Sequence, residues 1–397
     1  MSDTQKNKKP NVPNLRFPGF EGDWETKKLS AYLFENKERN RGGEFNKSDV
    51  LSVSGDCGIV NQIELLGRSF AGKSVADYHV VRTGDIIYTK SPLKEYPYGI
   101  VKFNKGKGGI VSTLYAVYHH KDNVDGQFVE YYFTNPQRTN RYFKPIVRIG
   151  AKHDMKIGNE EVLDNFVVFP GLREQRKITE TLSLLDQRIA IQNKVIEDLK
   201  KLKTALCEQL YNEHNPNSYI GDLIKQKSIR NRMGEDLKVL SVSNRYGFIE
   251  QSEQFEDRTV ASEDTSNYKI VSLNDFAYNP ARINVGSIAR LKFFEKGIVS
   301  PMYICFHCKE NVLPEFLEHF LNTKYFSLEM EKRLEGSVRM CLSFEGLCNI
   351  PIYIPSYEMQ MDIGKKITVL NDKLGLEEAY SNYLNSHKRY LLSQSFI

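Results

Sequence analysis

The run Ile178-Thr-Glu-Thr-Leu182-Ser-Leu-Leu185-Asp-Gln-Arg-Ile189-Ala-Ile-Gln192 decides the fold of this chain. Its apolar residues advance by alternating steps of four and three. Extending those steps through 196, 199, 203, 206 and 210 gives Ile, Leu, Leu, Ile, Gln, Ile, Leu, Lys, Leu, Leu: eight of ten are apolar. A period of 3.5 residues held this long is a coiled-coil seam, narrower than the stripe of a helix lying on a globular core. No Gly or Pro interrupts Leu172–Tyr211, so the spacing predicts one helix of about 40 residues, roughly 60 Å long. Pro216 in the His214–Asn217 segment ends it.

A seam needs a partner, and the chain carries a second one. Ile363, Ile367, Leu370, Leu374, Glu377, Ser381, Leu384, Lys388, Leu391 and Ser395 fall on the same lattice, six of ten apolar, within Tyr357–Phe396. The segments before the two helices also repeat. Val50-Leu-Ser-Val-Ser54 returns as Val239-Leu-Ser-Val-Ser243, Tyr78-His-Val-Val81 as Tyr268-Lys-Ile-Val271, and Gly109-Ile-Val-Ser112 as Gly297-Ile-Val-Ser300. Asp85 and Tyr88 correspond to Asp275 and Tyr278. The chain is therefore read as a tandem duplication. One copy is a globular domain (residues 1–170) with a spacer helix (171–212), the other a domain (213–355) with its helix (356–397). The fold class expected is α+β: two similar mixed α/β domains separated by two long helices that form an antiparallel coiled coil with a pseudo-twofold axis.

Within the domains, Val50–Ser54, Val80–Tyr88 and Gly109–Tyr118 read as strands, being rich in Val, Ile and Tyr and bounded by turn residues. Gln127–Thr134 reads as a helix, from the spacing of Phe128, Tyr131 and Tyr132. The polar seam residues suggest a register, with Lys203 against Glu377 and Gln192 near Lys388, because buried polar groups fix alignment at some cost in stability.

With 397 residues, 40% hydrophobic and 26% charged, the composition is that of a globular protein. MSDTQKNKKP has no apolar core of a secretory signal, and no run of 18 apolar residues occurs, so the expected location is the cytoplasm. Six cysteines are too few for a disulfide framework. Against 50 acidic residues stand 55 basic ones, a net of only +5, so binding of nucleic acid must rest on local patches. One such patch runs from Arg138 to Lys156, with Arg141, Lys144, Arg148 and Lys152 against the single acid Asp154. Another is the Lys90–Tyr98 loop, with Lys94. In the second copy Asn244-Arg245-Tyr246 and Asn279-Pro-Ala-Arg282 replace the matching loops. Arg and Lys neutralise phosphates, and Arg and Asn read base edges. The expected DNA-binding residues are Lys90, Lys94, Arg148 and Lys152 in the first domain, and Asn244, Arg245, Arg282 and Arg339 in the second. Strands that match beneath loops that differ suit two unlike half-sites on one duplex, held apart by a rigid spacer.

Two stretches resemble a known family. Leu15-Arg-Phe-Pro-Gly-Phe-Glu-Gly-Asp-Trp24 is similar to the start of specificity (S) subunits of type I restriction-modification systems. Pro170-Gly-Leu-Arg-Glu-Gln-Arg-Lys-Ile178 with Leu185-Asp-Gln-Arg-Ile189 resembles the motif that joins their target-recognition domains to the spacer helix. The second copy, Pro355 to Ile363, keeps only the Pro, Gln and Ile. The resemblance implies two target-recognition domains, each reading half of a bipartite asymmetric site, and helices that dock two adenine-methyltransferase (modification) subunits. It also implies motor-nuclease (restriction) subunits as further partners. S-adenosylmethionine, ATP and Mg are expected on those partners, and no cofactor or metal on this chain.

Three motifs compete with that reading. Gly67-Arg-Ser-Phe-Ala-Gly-Lys-Ser74 fits the phosphate-loop pattern, but the following Val75–Val81 looks extended rather than helical. Cys305-Phe-His-Cys308 has the spacing of a metal half-site, yet its repeat counterpart around Val117–His120 reads as a strand. No Asn-Pro pair continues as the Pro-Pro-Tyr/Phe loop with which an adenine methyltransferase grips its base. The chain therefore reads as non-catalytic. The alternatives are a stand-alone DNA-binding regulator, which needs no partner to bind tightly, and a coiled-coil adaptor, which leaves DNA methylation unchanged.

Overall fold

The computed structural model describes residues 11–72, 74–150, 155–212, 215–244, 246–251, 264–336 and 339–397. The chain divides into two compact units, one of Met1–Gln192 with Tyr380–Ile397 and one of Asn193–Ala379. Two long helices, Leu172–Asn212 and Tyr357–Gln394, each contribute part of their length to both.

The first unit is built on a four-stranded antiparallel sheet in the order Leu33–Glu35, Tyr115–His120, Ile86–Thr89, Val101–Phe103. A second layer comprises the hairpin Leu51–Ser54/Gly58–Asn61 and the pair His79–Val81/Gly109–Val111. The Val80–Tyr88 run is thus two strands, because a turn at Gly84 (φ +94°) divides it. The helices Gly126–Tyr132 and Pro136–Phe143 close the core. Each starts on a side-chain cap: Asp125 accepts from the Phe128 N–H, and Asn135 from the Arg138 N–H. Tyr88 stacks on Phe143 at 4.5 Å, and Phe128, Phe133 and Phe169 fill the space around them.

The second unit repeats this plan. Its sheet runs Ile224–Lys227, Ile304–Cys308, Phe276–Tyr278, Ile288–Arg290, with Phe276 stacked on Phe306 at 5.0 Å. Its other sheet has the order Gly247–Glu250, Val239–Ser243, Lys296–Val299, Lys269–Ser272, including a parallel pairing of Val239 with Ile298. In the first unit the same parallel relation survives as the single bridge Val50–Ile110.

In each unit the long helices pair antiparallel. Asp186 meets Lys388 at 2.5 Å and the Arg188 Nε donates to the Tyr380 hydroxyl in the first. In the second, Lys200 meets Glu378 at 2.6 Å, while Tyr211 packs in one cluster with Ile363 and Ile367. Seam residues at the helix ends are buried: Ile178, Leu182, Ile363, Ile367 and Leu384. Leu185, Ile189, Ile196, Leu199, Leu206, Leu370, Leu374 and Leu391 are half-buried, as expected where a helix has one neighbour rather than a core. Full burial of such a side chain contributes about 1.5–3 kcal/mol, so the ends anchor the pair more firmly than its middle.

The polar register differs from the sequence expectation. Lys388 pairs with Asp186, six residues before Gln192, an offset of about 9 Å along the helix. Glu377 pairs with Lys373 on its own helix, and a further cross-helix ion pair falls at Lys200–Glu378. Asp186, Lys200 and Glu378 flank the seam, where water partly screens them, so each pair costs less to desolvate than one between two seam positions.

One joint is made twice in the same way. Gln175, fully buried, donates from Nε2 to the Pro170 carbonyl (2.8 Å) and the Asn123 carbonyl (3.4 Å), and its Oε1 accepts from the Asp125 N–H (3.0 Å). Gln360 donates to the carbonyls of Pro355 (3.1 Å) and Asn311 (3.2 Å) and accepts from the Leu313 N–H (2.8 Å). Ile178 and Ile363 are buried one turn further on. The Pro, Gln and Ile common to both copies are the residues that fasten each domain to its helix.

Candidate nucleic-acid interface

In the second unit, two loops at the ends of sheet strands come together. The turn after Val239–Ser243 presents Asn244, and the segment after Phe276–Tyr278 presents Asn279 and Arg282. Ser287 Oγ donates to the Val242 carbonyl (3.1 Å), and a Cβ built on Gly286 would lie 3.5 Å from Asn244 Cβ, so the loops touch. Asn244 and Arg282, both exposed, border one cavity of about 300 Å³ together with Gln251, Asn279 and Ser300. Next to it, the Leu342 N–H donates to the Pro280 carbonyl (3.1 Å), which brings the exposed Arg339 to a neighbouring loop. That loop requires Gly336: its φ is +119°, and a Cβ there would sit 2.4 Å from the Arg339 carbonyl oxygen. Arg245 lies outside the described residues. Arg282 and Arg339 have no ion-pair partner among the described residues, so their guanidinium groups are available to phosphate or to a guanine edge.

The first unit arranges its charges differently. Lys94 is exposed in a loop closed by a Leu93–Tyr96 turn and by Gly99, where φ is +90° and a Cβ would meet the Thr89 carbonyl oxygen at 1.9 Å. Lys90 is a correction to the expected set. It is half-buried and donates to the Ile157 carbonyl (2.9 Å) and Asn159 Oδ1 (2.6 Å), and burial lowers its pKa. Its ammonium ties the loop to the domain instead of facing a ligand. Arg148 is exposed in a two-residue ladder with Met155–Lys156, directly across from Lys156. Like charges opposite one another destabilise a ladder, and an anion between them removes the penalty. Lys152 lies outside the described residues.

Arg138 also leaves the basic patch. It is half-buried between the rings of Tyr132 (4.9 Å) and Phe396 (5.0 Å) and donates to the carbonyls of Tyr132 and Ile397. Burial holds its pKa down to about 10. Arg141 and Lys144 remain exposed.

The long helices carry a second apolar face. Leu184, Ile191, Tyr383 and Tyr390 are exposed in the first unit, and Val195, Leu202, Val369 and Leu376 in the second. On the second helix these residues recur every seven positions, a spacing that a search for one seam passes over.

The competing motifs resolve structurally. Gly67 (φ +74°) caps the C-terminus of the short helix Gln62–Leu66, with its N–H on the Ile63 carbonyl. A helix C-terminus repels phosphate, and the chain then enters the strand His79–Val81. Cys305 and Cys308 lie in the strand Ile304–Cys308, where burial pushes each thiol up to about 12. Among the described residues no group of three potential metal ligands forms, and no helix is long and apolar enough to cross a membrane.

No protein-family model and no curated protein sequence matches the chain. Solved structures do. The chain is similar over 97% of its length to the S subunit of a type I restriction-modification system from M. genitalium, covering 99% of that chain at 14% identity with a TM-score of 0.57. A chain from a structure of type I R-M complex assembly and conformational transition matches at 14% identity and TM-score 0.51, over 94% of this chain and 97% of that one. The HsdS subunit from Thermoanaerobacter tengcongensis gives 14% identity, coverage of 96% and 97%, and TM-score 0.48. The fold is that of type I restriction-modification S subunits.

Proposed function

We propose that this chain is the DNA sequence-specificity subunit of a type I restriction-modification complex. Each globular domain reads one half of a bipartite, asymmetric target, and the paired helices set the gap between the halves. The observation that carries this is a duplicated sheet with an identical helix joint beneath two unlike loop sets. Alike scaffolds with unlike loops fit two different half-sites, and exposed Arg282, Arg339, Asn244, Lys94 and Arg148 supply the chemistry.

The exposed apolar faces of the helices dock two modification subunits, and restriction subunits join that core. S-adenosylmethionine, ATP and Mg act on those partners, in the cytoplasm. This chain reads and positions, and bond-making belongs to the others.

Mapping methylated adenines genome-wide, with and without this chain, tests the reading. An asymmetric bipartite motif that disappears with the chain is expected. Unchanged methylation refutes it. Leu184→Glu with Ile191→Glu is expected to abolish co-purification of the modification subunit while the chain keeps its helical content.

A further inference from the structure

The second domain holds a cavity that its DNA-reading loops do not explain. It measures about 430 Å³ and lies between the Ile288–Arg290 strand and the helices Pro314–Phe320 and Lys324–Glu331. That volume is typical of small-molecule sites. Two aromatic rings stand at its rim, Tyr246 at 64% exposure and Phe293 at 83%. Single exposed rings are ordinary, but two at the rim of one cavity form the kind of apolar surface that marks a binding site. Asn244 borders both this cavity and the Arg282 cavity, so the space opens beside the loops already assigned to DNA.

Its chemistry excludes an anion. The nearby cations are already paired: Arg290 with Glu315 and Glu318, Lys292 with Glu318. Beside the side-chain amides of Asn244 and Asn284, two acceptors remain. Asn322 donates its Nδ2 to the Glu318 carbonyl (2.8 Å), leaving Oδ1 as an acceptor, and Glu331 has no ion-pair partner among the described residues. A phosphate is repelled here, whereas a flat neutral group carrying N–H donors stacks on the rings and bonds the acceptors.

The first domain is built differently at the matching position. Cys57 stands where the second domain has Tyr246, and Gly106, two residues past the matched Asn104 and Leu291, where it has Phe293. The Phe103 ring packs against the helix Gly126–Tyr132 so closely that a Cβ on Gly126 would meet it at 2.6 Å.

Building on the proposed DNA-reading role, we propose that this cavity receives one unstacked base of the second half-site, with Tyr246 and Phe293 as stacking faces. The acceptors favour a base with an exocyclic amine over thymine. Extruding a base costs unpairing energy, least when its partner is missing, and aromatic stacking repays it.

The test uses the complete complex with its methyltransferase subunits, on duplexes of the mapped motif with a single abasic site stepped along each strand. Removing the partner of an extruded base is expected to tighten binding by roughly ten-fold. Apart from the methylated adenine, whose extrusion by the methyltransferase serves as the control, one pair in the motif is expected to show this. The effect is expected to vanish in Tyr246→Ala/Phe293→Ala and persist in Phe293→Trp, with unchanged melting temperatures because both rings are exposed. Specific binding with no second tightening pair overturns the inference and leaves the DNA-reading role standing. So does a tightening that survives the double substitution, or an extruded thymine. Loss of specific binding altogether in the unaltered complex overturns both.

Discussion

The two globular domains share a skeleton and differ at its edge. Each buries a tyrosine at the same point of a four-stranded antiparallel sheet, Tyr88 in one and Tyr278 in the other. Each also buries an Asp at the same sheet position, with different neighbours. Asp85 meets His119 at 2.6 Å, while Asp275 meets Lys227 at 2.5 Å. At the loops the likeness ends. The first domain faces Arg148 with Lys156 and turns Lys90 inward; the second gathers Asn244, Arg282 and Arg339 beside an aromatic-rimmed cavity. Residues that hold the sheet are constrained by packing on both sides, and loop residues supported only at their ends are free to diverge. The lesson is that the core dictates where a recognition loop starts and stops, and little else about it.

That contrast can be broken first at the shared part. Gln175→Ala and Gln360→Ala each remove a buried amide with three main-chain partners, and each is expected to destabilise the protein by about 3 kcal/mol. Denaturant melts of the two variants check this, and a large difference between them contradicts the equivalence of the joints. The next effect arises at different positions in the two domains, at His79 in the first and at half-buried His319 in the second, whose pKa burial also lowers to about 4. His79 is 1% exposed, and burial lowers its pKa to about 4. Its unfolded form titrates near 6.5, so the unfolded state binds the extra proton and stability, complete above pH 6.5, falls as the pH drops toward 4. At pH 5 the loss from this group is about 2 kcal/mol. Melting curves at pH 7 and pH 5 should show it, and His79→Gln should remove its share of the dependence while that of His319 remains.

Smaller effects separate the loops. Arg282→Ala is expected to weaken DNA binding by about 1–2 kcal/mol and to relax a single base position. Competition binding against single-base variants of the motif measures both. Lys94→Ala is expected to weaken all sequences alike, by about 0.5 kcal/mol, and to reduce the salt slope by about one. If Lys94→Ala alters base preference, the division between anchoring and reading in the first domain is misplaced.

The helices were the most legible part of the sequence, because a 3.5-residue period cannot be satisfied without a facing helix. The duplication was legible too, through strand cores such as Val239–Ser243 that packing keeps alike. Charge was harder to read. A sequence gives the sign of Arg138 but not its direction, and the rings that enclose it come from Tyr132 and the distant Phe396. Lys90 likewise turns inward because Asn159, far along the chain, offers it an acceptor. The helix register departs from the expectation at Lys388, which meets the flanking Asp186, a residue no seam periodicity singles out. The cavity needs Tyr246 and Phe293 at one rim, and no periodicity links two residues on separate turns.

All six partners of Gln175 and Gln360 are main-chain atoms: four carbonyls and two N–H groups. Such a fitting recognises the path of the backbone and is blind to side-chain identity. A globular half bearing different surface loops would seat on the same socket provided it keeps the apolar side chains around Ile178 or Ile363, so this architecture permits whole modules to be exchanged.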